Sequence, residues 1–304
     1  MLYKDWLNIW LENFIKPSIK MRSYLKYKRD VENYLLPSLG NYEMEELTAI
    51  ILQKFTVDLA NKELSSSTIN GIVSVLKNSI KSANNAEITS KNCTNYINRP
   101  KNSEKQVESL TKQEQQILEK YILNSSNLKL FGIIICLYTG LRIGELLSLT
   151  WSDIDFNKNV LYVSKTCYDS WENGKYVKVF SKPKTETSGR IIPIPKSIIS
   201  KLKEMKKASK HNFVVPAKSE YGVGVRLYQR LFSNLLVKLK IPHKGFHSIR
   251  HTFATRALEC GMDIKSLSEI LGHKNPNITL KRYAHSMIEY KTEMMNKIGK
   301  LLLI

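Results

Sequence analysis

The stretch RPKNSEKQVES, residues 99–109, constrains this chain more than any other. It is polar, holds Pro100 and has no apolar period, so it cannot help build a packed core. A helix start follows at once. In TKQE, residues 111–114, Thr111 and Glu114 stand at the spacing of a capping box. The chain is thereby divided into a first unit over 1–98, a linker over 99–109 and a second unit over 110–304. A length of 304 residues suits two cores better than one.

The first unit reads as all-helical. YKDWLNIWLENFI (3–15) sets Trp6, Ile9, Trp10 and Phe14 at helical spacing, and RSYLKYKRDVENYLL (22–36) does the same with Tyr24, Tyr27, Val31 and Tyr34. Pro37 and Gly40 are expected to stop the second of these helices. TAIILQKFTVDLANK (48–62) and SSSTINGIVSVLKNSIKSANN (65–85) supply two more, the latter with Ser65 to Thr68 as N-cap choices.

The second unit opens with helices up to Gly140, then a further helix through RIGELLSL (142–149). Two β-rich runs follow, NVLYVSKTCY (159–168) and KYVKVFSK (175–182). The loop between them holds Asn173-Gly174, a hairpin signal. RIIPIP (190–195) is a third short strand, and its prolines suit an edge or a strand end. The pattern is then helical to the C-terminus. The fold class is mainly α with a small antiparallel β-sheet. No fixed-period repeat is visible, which argues against a solenoid.

Charge gives the first functional direction. Lys and Arg number 47 against 27 Asp and Glu, a net of +20. The excess is uneven: +4 up to residue 105 and +16 from residue 106 onward. Such an imbalance favours a polyanion, most simply nucleic acid, with a Lys-rich soluble surface as the plain alternative. LFGIIICLY (130–138) is about half the ~20 apolar residues a membrane span needs, so it reads as a buried helix and no membrane association is expected. The N-terminal MLYKDWLNIWLENF carries acids early and no small-residue cleavage site, which argues against a signal peptide. Cys93, Cys136, Cys167 and Cys260 show no C-x-x-C spacing and point to reduced thiols in a cytoplasmic setting.

Several polar residues stand where chemistry is possible. In TGLRIGELLSLTWSDID (139–155), Arg142 follows a helix-ending glycine and Glu145 lies on the same face three residues on. They form either a surface pair or a guanidinium oriented by a carboxylate and aimed at phosphate. SKPKTETSGRIIPIP (181–195) puts Lys184 in a tight turn between the second and third strands, at the tip of a hairpin. In FHSIRHTFATRALECG (246–261), His247 and Arg250 share a helix face, and Phe253, Ala254 and Leu258 form its apolar stripe. His247 and His251 lack the H-E-x-x-H pattern of a zinc helix, because Ser248 and Arg250 stand between them and no third ligand is evident. LSEILGHKNPNITLKRYAH (267–285) adds His273 after Gly272, and Tyr283 ten residues later. Taken singly, each also fits a cap, a solvated ring or a half-buried tyrosine.

In order along the chain, Arg142, Lys184, His247-x-x-Arg250, His273 and Tyr283 resemble the active-site set of the tyrosine recombinases, the phage and transposon integrase family. The flanking TGLRIGELLSLTWSDID, HSIRHTFATRAL and ILGHKNPNITLKRYAH are similar as well, and WLENFIKPSIKMRSYLKYKRDVENYLLPSLG resembles the family's core-site-binding domain. Its helices begin almost at Met1, whereas many integrases of conjugative elements carry an additional arm-site-binding domain ahead of them. The resemblance implies a two-domain DNA clamp. It makes 1–98 the core-site DNA-binding domain and 110–304 the catalytic domain, with a C-terminal helix (286–304) docking on a neighbouring protomer.

The resemblance further implies strand cleavage by Tyr283 with a 3′-phosphotyrosine and a Holliday junction. Arg142, Arg250 and His273 would bind the phosphate. Lys184 would protonate the leaving 5′ oxygen, His247 would manage the tyrosine proton and Glu145 would support Arg142. No metal and no ATP or other cofactor is implied. The implied partners are double-stranded DNA core sites, a homotetramer on synapsed DNA and an accessory directionality factor. Further DNA contacts are expected from Lys16, Lys20, Arg22, Lys26 and Lys28 in the first unit, and from Arg226, Arg230, Lys238, Lys240 and Lys244 in the second. The tail SMIEYKTEMMNKIGKLLLI places Ile288, Met294, Met295, Ile298, Leu301 and Leu302 on one stripe, which packs either on its own unit or on a neighbour. The implied function is integration and excision of a mobile element. Xer-like resolution of chromosome or plasmid dimers, a type IB topoisomerase and a non-cleaving DNA-binding protein remain the alternatives.

Overall fold

The computed structural model describes residues 1–90, 93–101, 108–172, 174–181, 189–217, 221–273, 275–283 and 288–302. Chain contacts divide it into two units, Met1–Lys105 and Gln106–Ile304. The whole is mainly helical with two small antiparallel sheets.

In the first unit, α1 (Tyr3–Ile9) runs into a π turn at Trp10–Ile15. The wider turn rotates the residues beyond it. The buried face is Tyr3, Trp6, Leu7, Trp10 and Leu11. Ile9, ahead of the turn, lies off that face by ordinary helix geometry and is 38% exposed, whereas Phe14 is turned out to 44%. Trp6 Nε1 donates to the Ser79 carbonyl at 3.0 Å, and the Tyr3 hydroxyl meets Ser79 Oγ at 2.5 Å. A second π turn, Val31–Leu35, joins α2 (Met21–Asp30) to α3 (Leu36–Leu39). Pro37 therefore does not stop the helix. It sits in the first turn of α3, where its missing N–H costs nothing. The core is completed by α4 (Ala49–Ala60), capped by Thr48, and α5 (Ser66–Asn85), capped by Ser65.

The second unit starts on α6 (Lys112–Leu123), with both hydrogen bonds of the Thr111–Glu114 capping box present. Next, α7 (Phe131–Thr139) is buried along almost its whole length, and α8 (Ile143–Ser148) comes after one tight turn. The β region differs from the expected single sheet. One sheet has the order β1 (Ile154–Asp155), β2 (Val160–Val163), β5 (Arg190–Pro193). The other is the hairpin of β3 (Thr166–Glu172) and β4 (Lys175–Ser181). The run 159–168 thus splits at Ser164 and Lys165 between two sheets. Because β4 pairs with β3 and β5 pairs with β2, the strands on either side of Lys184 are not a hairpin. Pro193 ends the edge strand β5, where no ladder donor is lost.

Helices α9 (Lys196–Ala208), α10 (Val225–Lys238), α11 (His247–Glu259), α12 (Ile264–Leu271), α13 (Pro276–Tyr283) and α14 (Ile288–Leu302) complete the unit. The start of the unit is fastened to α11. Leu110 N–H donates to Thr252 Oγ1 at 2.8 Å, and its carbonyl accepts from Arg256 Nη2 at 2.9 Å. Among the described residues, no helix is long and apolar enough to cross a membrane.

Candidate active site

Two helices end on left-handed glycines, and both ends face one arginine. Gly140 closes α7 at φ +65°, with its N–H on the Cys136 carbonyl. Gly272 closes α12 at φ +64°. The Gly272 and His273 N–H groups return to the Glu269 and Ser268 carbonyls, the Schellman pattern. These turns leave terminal carbonyls pointing at Arg250 of α11. Its Nη1 donates to Gly140 O at 2.8 Å and its Nη2 to Leu271 O at 2.5 Å. Arg250 is only 2% exposed, and helix-end carbonyls suit a buried guanidinium because they are both orphan acceptors and the negative ends of helix dipoles.

Arg142 is the N-cap of α8 and sits beside this arrangement. Its Nη2 donates to Gly272 O at 3.3 Å, so the two candidate arginines occupy consecutive carbonyls, Leu271 and Gly272. Its backbone N–H and its Nη1 also donate to Glu145, at 2.9 and 2.8 Å. The carboxylate has a second cation. Arg190, at the start of β5, donates from Nη1 and Nη2 to the two Glu145 oxygens at 3.1 and 2.8 Å. Burial by itself would raise the Glu145 pKa. The hydrogen bonds and charge of Arg190, then those of Arg142, overcome it and hold the carboxyl at about 2.

His273 joins the cluster through Arg250. The guanidinium has no acceptor, so in the 2.9 Å contact between Arg250 Nη2 and His273 Nε2 the imidazole accepts. A neutral ring then carries its proton on Nδ1, which meets Thr279 Oγ1 at 2.8 Å. Donation from Nε2 to a phosphate requires the other tautomer. The Thr279 hydroxyl permits it, because it can turn and donate to Nδ1 instead.

The cluster of Arg142, Glu145, Arg250 and His273 is thus one contiguous site. His247 lies one turn before Arg250, is exposed, and stands edge-on to His251 at 4.5 Å between ring centroids. Tyr283 is the last residue of α13, the helix that begins just after His273. Its side chain and all of Lys184 lie outside the described residues. Among the described residues, no group of three or more His, Cys, Asp or Glu side chains is placed to hold a metal ion.

The remaining basic candidates divide by environment. Lys16, Lys26 and Lys28 pair with Glu12, Asp30 and Glu32 one turn away, and Lys20 and Arg22 are exposed on the same segment. Arg226, Arg230, Lys238 and Lys240 are exposed. Arg226 lies over the Tyr176 ring at 4.2 Å, and Lys238 over Tyr121 at 4.9 Å. Lys244 is different. It is largely buried and bonded to both oxygens of the capping-box Glu114, at 2.9 and 3.1 Å, so its charge serves the fold. On α14, Met295, Ile298, Leu301 and Leu302 are 47–77% exposed, so their own unit does not cover them.

Arg190 and Thr279 escape the sequence reading. For Arg190 a signal existed: it shares the inward face of β5 with Ile192, an odd place for a cation. Thr279, with no exposed surface, has no comparable mark in NPNITLKRY.

Residues 103–289 match the phage integrase family, and residues 2–60 match the SAM-like N-terminal domain of phage integrases. The chain is 30% identical to a tyrosine recombinase XerC-like protein of Caldanaerobacter subterraneus subsp. tengcongensis, over 98% of this chain and 82% of that one. Its fold is similar to the Tn1549 transposon integrase in complex with a circular intermediate DNA, with TM-score 0.84, 24% identity, and coverage of 98% of this chain and 99% of that one. It is also similar to lambda integrase in a tetramer bound to a Holliday junction, with TM-score 0.70, 18% identity, and coverage of 91% and 78%.

Proposed function

Because the chain belongs to the phage integrase family of tyrosine recombinases, enzymes that cleave and rejoin DNA, we propose that it is the site-specific recombinase of a mobile element, with Tyr283 as its nucleophile. The observation that carries this reading is the pair of guanidiniums on consecutive carbonyls, Arg250 on Leu271 and Arg142 on Gly272, with His273 next in the chain.

A phosphodiester resists attack because it is already anionic and its leaving alkoxide is poor. The transition state adds charge to the non-bridging oxygens. Arg142 and Arg250 meet that charge with fixed forks, and His273 adds a donor in its Nε2–H tautomer. A phenol is a weak acid, so Tyr283 gives up its proton as it attacks, with His247 as acceptor. The Tyr283 Oη–P bond forms, the P–O5′ bond breaks, and Lys184 protonates the departing oxygen. A 5′ hydroxyl from a partner strand then attacks the 3′-phosphotyrosine and expels the tyrosine. Fixed cations stand where a metal would act, and bond energy stays in the ester, so the chemistry calls for neither a metal nor ATP. Double-stranded core sites are the substrate. Four protomers act pairwise through a Holliday junction, helped by the uncovered apolar face of α14 and directed by an accessory factor. Xer-like dimer resolution is the second reading, favoured by the XerC-like relative.

The test is covalent capture. Core sites are found by sequencing DNA that stays attached to the protein after denaturation. A nicked duplex carrying such a site is then incubated with the protein in EDTA. The expected product is an adduct that vanishes in Tyr283→Phe. An adduct that persists in that variant removes Tyr283 from its role, and a requirement for metal removes the mechanism. Recombination between unlike sites supports integration, and recombination restricted to identical sites supports resolution.

A further inference from the structure

We propose that Arg190 is a positioning residue that serves as the counter-ion of Glu145, so that Arg142 keeps its positive charge for the scissile phosphate. The proposal rests on the recombinase reading and adds a residue to it.

Four donors converge on two oxygens. Glu145 Oε1 accepts from Arg142 Nη1 and Arg190 Nη1, while Oε2 accepts from the Arg142 backbone and Arg190 Nη2. One carboxylate lies between two guanidiniums, and the trio carries one net positive charge. Take Arg190 away and Glu145 neutralises Arg142 completely. A phosphate would then meet an ion pair in place of a cation.

Exposure says which arginine faces the substrate. The Arg190 side chain is 6% exposed, as is that of Glu145, whereas that of Arg142 is 38% exposed. The buried ion pair is thus Arg190–Glu145, and Arg142 is its accessible third member. Arg190 also donates from Nε to Ile270 O at 2.5 Å. That carbonyl directly precedes Leu271 and Gly272, the seats of Arg250 and Arg142. The absent side chain at Gly272 leaves room for this contact, since a Cβ there would come within 3.0 Å of Arg190 Nη1. One side chain therefore sets both the charge and the platform of the arginine pair.

The discriminating experiment compares the full-length wild type, Glu145→Gln, Arg190→Gln, Arg190→Lys and the double variant Glu145→Gln/Arg190→Gln. Adduct formation is measured in a single turnover with protein saturating over the nicked core-site duplex. Non-covalent DNA affinity and circular dichroism are measured alongside. Arg190→Gln is expected to slow cleavage roughly tenfold or more, short of the ~10²–10³ for loss of a direct transition-state donor. The double variant is expected to cleave faster per folded molecule than Arg190→Gln, because removing the carboxylate that neutralises Arg142 frees its charge again. A merely structural role predicts that any rate difference between the two variants follows the folded fraction read by circular dichroism, since loss of one member of a buried ion pair can damage the fold as much as loss of both. A double variant no faster per folded molecule than Arg190→Gln, or Arg190→Gln at the wild-type rate, overturns the proposal.

Should Arg190→Gln fail to fold, Arg190→Lys decides. It keeps the counter-charge, so a rate within about tenfold of wild type supports the role and a larger loss overturns it. A wild-type chain that makes no Tyr283-dependent adduct overturns the recombinase reading. An active wild type with the wrong order in the double variant overturns the role of Arg190 alone.

Discussion

Replacing Gly140 by alanine probes how tightly the two helix ends are built around Arg250. Gly140 has φ +65°, a conformation that costs an L residue roughly 1–2 kcal/mol. The new Cβ would also come to 2.5 Å from Phe253 Cδ1 and 2.9 Å from Leu271 Cδ2. Leu271 is fully buried and the Phe253 ring packs on the same small cluster, so neither yields freely. Overpacking of this kind costs about 1–3 kcal/mol. The two penalties together predict roughly 2–5 kcal/mol of lost stability. In a unit of this size each kcal/mol moves the melting midpoint by about 2–4 °C, so a fall of roughly 4–20 °C is expected in calorimetry of the full chain. Function should suffer beyond stability. Gly140 O and Leu271 O are both acceptors for Arg250 and both would shift, so adduct formation well below the midpoint should slow about tenfold or more. A variant that melts within about 1 °C of wild type and cleaves at the same rate would refute the idea that these turns rigidly set Arg250.

Other expectations come from single contacts. The Glu145 pKa is lower folded than unfolded, so its stabilisation is fully present above the ordinary carboxylate value of ~4.3 and is lost as pH falls toward about 2. Glu145→Gln should therefore cost about 3 kcal/mol at neutral pH and flatten the acid limb of the stability curve, whereas superimposable limbs would contradict the linkage. Lys244→Met should lower stability by roughly 1–3 kcal/mol through an unpaired Glu114 while leaving the salt slope of DNA binding unchanged. A slope reduced by about one unit would mark Lys244 as a phosphate contact after all. Arg230→Ala should do the opposite, weakening binding with little change in melting. Thr279→Val removes the partner of His273 Nδ1 and should slow cleavage about tenfold, with Thr279→Ser restoring it; equal rates for all three would sever Thr279 from the site.

What could be read in the sequence was what local chemistry determines. The Thr111–Glu114 capping box and the glycine stops at 140 and 272 each depend on a few adjacent residues and are present, as is the β3–β4 hairpin that the Asn173-Gly174 signal led one to expect. The π turns at Trp10–Ile15 and Val31–Leu35 were not legible. They shift a helix by one residue without any residue type that requires it, and so Phe14 and Pro37 were misplaced. The β region failed for another reason. A continuous apolar run such as 159–168 does not say where a strand leaves one sheet for another, because that depends on distant partners. The same limit hid Arg190, whose partners Glu145 and Ile270 lie 45 and 80 residues away, and made Lys244 look like a surface charge when its carboxylate stands 130 residues back. Arg142, Arg250 and His273 were visible only as a set.

The spread of this cluster along the chain bears on how it is made. Arg142 reaches Gly272 across 130 residues, Arg250 reaches Gly140 across 110, and Leu110 is fastened to Thr252 and Arg256 across 142 and 146. Contacts of such high sequence separation form late, after the loop-closure entropy has been met. A nascent chain paused after β5 holds Arg142, Glu145, Arg190 and the Gly140 carbonyl but neither Arg250 nor the carbonyls of Ile270, Leu271 and Gly272. It also lacks the helix to which Leu110 is tied. Strand-cutting competence therefore arrives only once α11 to α13 have been made, and translation products cut short before them carry the N-terminal helices without a working site.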